Sequence, residues 1–188
     1  ERDDRDALRA GFLDDAVERL RVGSVDDDGV VALEDHVADL LLLLRRASRP
    51  HTTELGRVPG TNYFADAIRH PENERLPGVF VFRAEASLLY FNVEHVRDRF
   101  FELLGARGDG VRLAVFFLGS CPAVDLAGAE LLEELHHGLR QRGIAFRLTE
   151  ARGDVREILR RAGFEEHCGP VVPVQPVATV VDEWRRHA

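Results

Sequence analysis

VRLAVFFLGSCPAVDLAGAELLEELHHGLRQRGIAFRLTE, residues 111–150, is the stretch whose reading decides the fold. Its first part, VRLAVFFLG, is a near-continuous apolar run, the pattern of a central strand buried on both faces. At Asp125 the spacing changes to that of a helix. Asp125 stands as the N-cap, Leu126, Leu132, Leu135 and Leu139 recur along one stripe, and Gly143 stops the element. IAFRLTEA, residues 144–151, then returns to a strand pattern.

The same alternation extends on both sides. Upstream, VFVFRAEASLLYFNV (79–93) mixes β-branched and aromatic residues and predicts two strands with a break near Ala86 and Ser87. EHVRDRFFELLGARG (94–108) predicts a helix with Val96, Phe100, Leu103 and Leu104 inward. Downstream, GDVREILRRAGF predicts a helix, VVPV (171–174) a short strand and QPVATVVDEWRRHA a closing helix. Strands and helices alternating at this spacing define an α/β fold with a mainly parallel or mixed central sheet covered by helices.

The first 76 residues read differently. Residues 5–21 put Leu8, Phe12, Leu13, Ala16, Val17 and Leu20 on one helical face, and VGSVDDDG breaks the pattern. A second helix follows, with Val30, Leu33, Val37, Leu40, Leu41 and Leu44 spaced three or four apart. The short break suits an antiparallel helical hairpin. The hairpin leaves Leu42 and Leu43 on another face, which calls for a further contact, for which a second copy of the chain is the simplest source. Five consecutive leucines ending at Arg45 and Arg46 look like the exit of a membrane span. Glu34, Asp35 and Asp39 argue for an amphipathic helix instead, since each charge inside a bilayer costs about 2.5–3.5 kcal/mol. No window reaches the roughly 18–20 apolar residues of a span. The division expected is therefore a helical segment at 1–46, a proline-rich connector at 47–76 and the α/β domain at 77–188.

Bulk properties narrow the function. A net charge of −8 disfavours nucleic acid and anionic lipid as partners. All basic residues are arginine, and their scatter fits base composition better than a phosphate site. Cys121 and Cys168 are too few for a recognisable zinc site and are expected as reduced thiols. The charged opening, ERDDRDALRA, has no apolar core of a secretion signal, and the absence of methionine implies that the native start lies outside the chain.

The motifs LGRVPGT (55–61), RHPENE (69–74), PGVFVFRAEASLLYFN (77–92) and VDLAGAELLEELHHGLRQRGI (124–144) occur in order. Over residues 40–188 the chain resembles the segment joining the membrane part of SulP-type anion transporters to their cytoplasmic STAS domain. That name covers sulfate transporters and anti-sigma-factor antagonists. The resemblance implies a STAS-like mixed sheet and a non-catalytic regulatory role at the cytoplasmic face of a membrane. It also implies a transmembrane transport domain, or another protein, as partner. Residues 1–39 depart from the family, carrying charges where the last membrane helices would be apolar, which leaves a soluble derivative as a second form of the same reading.

The candidate interaction or ligand loop comprises Ser120, Cys121, Pro122, Asp125, Leu126, Ala127 and Gly128. Anti-sigma antagonists carry an aspartate followed by a phosphorylatable serine here. Asp125 matches the aspartate, but Leu126 has no hydroxyl to accept a phosphoryl group. Asp125 is otherwise read as an ordinary N-cap. The alternative is a stand-alone nucleotide- or anion-sensing switch at this helix start. Asp125 would itself repel a phosphate, no glycine-rich phosphate loop accompanies it, and nucleotide binding has no support in the sequence. His136 and His137 are adjacent and point about 100° apart on a helix, so they do not share a metal. Ser87, Ser120 and Cys121 lack a motif pairing them with a base. Neither a cofactor nor an enzymatic reaction is expected.

Overall fold

A computed structural model describes residues 30–171 and 175–187, with side chains from residue 37 onward. The chain divides into two compact units, Glu1–Arg46 and Ala47–Ala188. Helix α1 (Val30–Ser48) contains the leucine run and ends the first unit. Leu40, Leu42, Leu43 and Leu44 are exposed on it, while Val37 and Leu41 are half-buried. No helix among the described residues is long and apolar enough to cross a membrane. The helix expected at 5–21, and with it the hairpin, lies outside the described residues.

The second unit runs β1 (Thr52–Arg57), β2 (Phe64–Asp66), β3 (Val79–Ala84), α2 (Val93–Ala106), a 3₁₀ turn (Gly108–Gly110) and β4 (Leu113–Phe117). It continues through α3 (Leu126–Gln141), β5 (Ala145–Thr149), α4 (Gly153–Arg161), α5 (Phe164–Cys168) and α6 (Val177–His187). Its strands form a mixed sheet in the order β2-β1-β3-β4-β5. β3, β4 and β5 are parallel, and β1 is antiparallel to both β2 and β3.

Alternation along β3 and β4 splits the core between the two faces of the sheet. Phe80, Phe82, Ala114 and Phe116 face α2 and α3, meeting Val96, Phe100, Leu104, Leu132, Leu135 and Leu139. Val79, Val81, Leu113 and Val115 face the other way and pack with Val177, Val180 and Val181 of α6. Phe100 is the hub of the larger layer. Its ring lies 5.3 Å from Phe80, 5.1 Å from Phe82 and 6.3 Å from Phe116. The first two contacts are edge-to-face and the third is stacked, and such aromatic pairs add to the area term.

Two expectations are corrected. The connector at 47–76 contains β1 and β2, which complete one side of the sheet. Its prolines and polar residues hide this because β1 buries charge. Glu54, 5% exposed, pairs with Arg75 at 3.1 Å and Arg107 at 3.3 Å. Burial pushes its carboxyl above the ordinary value against the pull of Arg107 and Arg75. The second correction concerns Ser87 to Asn92, expected as a strand. Only Leu88 pairs there, as a single parallel bridge to Val124. Buried Asn92 curls the rest into a turn: its Oδ1 accepts the Leu89 N–H at 3.0 Å and its Nδ2 donates to the Ser87 carbonyl at 2.9 Å. Of the short strand expected at 171–174, residues 172–174 lie outside the described set.

Phe100→Ala empties the hub of the larger layer and is expected to cost about 3–5 kcal/mol in urea unfolding of the chain. Acid sensitivity has its source in Asp66. Burial opposes its ionisation, but the backbone N–H groups of Arg69 and Ile68 and the His51 side chain outweigh it and hold the carboxyl well below the usual range. A depressed folded pKa contributes stability above the unfolded value and loses it as pH falls. Unfolding midpoints should therefore drop below about pH 4, and Asp66→Asn should flatten that acid limb.

Candidate functional site

The loop between β4 and α3 is pinned before it reaches the helix. After Leu118 the Cys121 N–H returns to the Leu118 carbonyl at 2.9 Å, closing a turn. The Ser120 hydroxyl donates to the Ala84 carbonyl, at the end of β3, at 2.8 Å. The Cys121 thiol reaches the same oxygen at 3.7 Å. Cys121 is fully buried, and burial alone pushes its thiol up to about 12. A thiol so poorly ionised is a packing residue. Ser120 and Cys121 thus fasten the loop to β3.

The loop then crosses to Leu88. The Leu88 N–H donates to the Ala123 carbonyl at 3.0 Å, and the Asp125 N–H donates to the Leu88 carbonyl at 3.0 Å. Asp125 has the extended backbone of an N-cap, φ −96° and ψ −174°. One carboxylate oxygen accepts the Gly128 N–H at 2.9 Å, as expected for a cap. The other accepts the Tyr90 N–H at 2.9 Å, across 35 residues of chain. Asp125 therefore caps α3 and ties its start to the turn before α2. Gly128 is required by the same approach, since a Cβ there would lie 2.5 Å from the Leu88 carbonyl oxygen.

With both oxygens engaged, the helix start has lost its freest donor to its own carboxylate. This leaves little for an external anion. What the site shows to solvent is apolar. Leu126 is 62% exposed and does not share the buried stripe of Leu132, Leu135 and Leu139, contrary to expectation. The first helical residue points away from the sheet because the cap turns the chain there. Pro122 and Ala123 are exposed and Ala127 half-buried. Tyr90, 75% exposed, belongs with this surface. The strand pattern of its neighbours concealed it, and Asn92 was the one turn signal nearby.

A second feature borders the loop. Glu150, at the end of β5, has φ 56°, in the left-handed region where a side chain is strained. Burial raises its carboxyl above the ordinary value, although the N–H of Val177 at the start of α6 bonds to it. Among the described residues no cluster of three or more histidine, cysteine, aspartate or glutamate side chains could hold a metal ion.

A mixed five-stranded sheet flanked by helices, with a capped helix start beyond β4, is the STAS architecture. The chain belongs to the STAS domain family, whose model matches residues 70–182. It is 33% identical over 147 residues to a probable sulfate transporter of Mycobacterium tuberculosis, covering 78% of this chain and 26% of that protein. Sulfate transporter 1.3 of Arabidopsis thaliana is 27% identical over 148 residues, covering 74% of this chain and 23% of its own length. The chain thus spans about a quarter of the transporters it matches. Among solved structures, the murine Solute Carrier 26 family member A9 anion transporter superposes with TM-score 0.71 at 18% identity, over 83% of this chain and 25% of that one. A sulfate transporter family protein from Wolinella succinogenes gives 0.51 at 17% identity, over 66% of this chain and all of that one. These two likenesses concern the fold.

Asp125→Ala should destabilise the chain by about 1–2 kcal/mol, and amide exchange at Tyr90 and Gly128 should accelerate together. Gly128→Ala should cost more than a simple cap loss, because the Leu88 backbone must move to admit the methyl group.

Proposed function

We propose that the chain is a non-catalytic regulatory STAS domain of a SulP-like anion transporter of the sulfate or bicarbonate class, or a soluble derivative of one. It works by protein contact at the cytoplasmic side, with a transmembrane transport domain as first partner. The observation that carries this reading is the β4–α3 loop. Asp125 spends both carboxylate oxygens inside the fold, and the next residue is an exposed leucine where a phosphoryl acceptor would need a hydroxyl. Such a loop is built to present apolar surface beside Tyr90, and the position after its aspartate has no hydroxyl to accept a phosphoryl group. The similarity to sulfate transporters over most of the chain supports the same assignment.

The partner test uses membranes containing the transport portion of the M. tuberculosis relative without its own STAS region. The chain is expected to bind them saturably, and Leu126→Asp should weaken binding about tenfold or more, as loss of one buried leucine contact implies. Equal binding to membranes lacking the transport portion, or an unchanged affinity for Leu126→Asp, would count against this reading. Tight saturable binding of a nucleoside triphosphate would favour a ligand-sensing switch instead.

A further inference from the structure

β5 is the outermost strand on its side of the sheet, and between it, the flank of α3 and the short helix α5 lies a pocket of about 300 Å³. Its walls include Phe146, Arg147 and Leu148 of β5, Phe164 and Cys168 of α5, Val171 just beyond that helix, and His136 of α3. It shares no residue with the β4–α3 loop.

We propose that this pocket binds a small aromatic carboxylate, of the size of benzoate or phenylacetate. His136 donates to the carboxylate while the ring lies against Phe146, Leu148, Phe164 and Val171. The volume is at the low end for a ligand site, which limits the occupant to a single ring or a comparable branched body. Most of the lining is apolar, so the polar demands are few and concentrated at one end.

His136 sets that end. Its Nδ1 is shut off from solvent and has no hydrogen-bond partner. A buried N–H left unpaired is costlier than a buried lone pair, because the donor has no second way to be satisfied. With the ring proton on Nε2, that nitrogen is the donor this pocket-lining residue can offer a ligand. Burial, together with His137, Arg140 and Arg147, holds His136 below its ordinary value against the pull of Glu133. Arg147 of β5, whose guanidinium charge is permanent, lines the pocket as well and favours an anion over a neutral ligand. Cys168 does not offset it, since burial first and Glu133 second push its thiol up to about 11. An apolar body with one anionic acceptor satisfies both ends of the pocket.

The experiment titrates the full 188-residue chain with benzoate, phenylacetate and, as neutral control, benzyl alcohol. Histidine side-chain NMR and the rate of Cys168 alkylation by iodoacetamide are followed, with buried Cys121 as the unreactive internal reference. Expected are saturable binding of a carboxylate, a perturbed His136 ring signal and slowed alkylation of Cys168. His136→Phe keeps the ring volume and removes the donor, so it should weaken carboxylate binding about tenfold and leave benzyl alcohol unchanged. Absence of saturation by both carboxylates at about 10 mM, equal affinity for benzyl alcohol in the parent chain, or undiminished carboxylate binding by His136→Phe would overturn the proposal. Should that variant fail to fold, Leu148→Trp fills the pocket from β5. It should abolish binding, and unchanged affinity would be equally fatal.

Discussion

β3 and β4 bury both of their faces, and the remaining elements are arranged by the need to keep water from those two strands. Phe80, Phe82 and Phe116 point to one layer and Val79, Val81, Leu113 and Val115 to the other. A strand pair of this kind cannot stand at the surface, so helices must cover each side. α2 and α3 supply the thicker cover and α6 the thinner one. The aromatic layer under α2 and α3 is the larger of the two, and Phe100 links its strands.

The antiparallel side of the sheet is held by different physics. β1 carries few large apolar side chains, and its Glu54 is buried between Arg75 and Arg107. Breaking one partner of such a set leaves a buried charge uncompensated, which is far more costly than the pairing itself is favourable. Arg107 also donates to the carbonyls of Leu76 and Val79, so the end of α2 is tied to the start of β3 by the same side chain. Specific pairing here does what apolar area does in β4.

The β4–α3 loop inherits its character from both arrangements. Because β4 is buried, the chain must leave it through a tight turn, and Ser120 and Cys121 secure that turn on Ala84. Because the turn before α2 is short of backbone partners, Asp125 lends it one carboxylate oxygen and keeps the other for its own helix. An aspartate in this role is structural, and the chemistry left to the loop is that of Leu126 and its exposed neighbours. Family membership alone does not decide between a phosphorylatable switch and a contact surface. The residue after the aspartate bears on that choice, because a leucine there has no hydroxyl to accept a phosphoryl group.

Local pattern was enough for every element whose stability is local or whose burial is apolar. The run in β4, the stripe of Leu132, Leu135 and Leu139, the cap at Asp125 and the closing helix from Val177 were all legible, and so was the family. β1 and β2 were not, because Leu55 is the one large apolar side chain fully buried in them and the other buried side chains are threonine, glutamate and aspartate, which read as solvent-facing until their partners are known. Tyr90 was hidden for the same reason, its place being decided by Asn92 and by an acceptor 35 residues away. The side of α3 that Leu126 takes and the pocket behind His136 likewise depend on elements far apart in sequence. The order of residues determines what can be buried cheaply; where polar groups are buried, only the folded chain supplies the partners that make burial affordable.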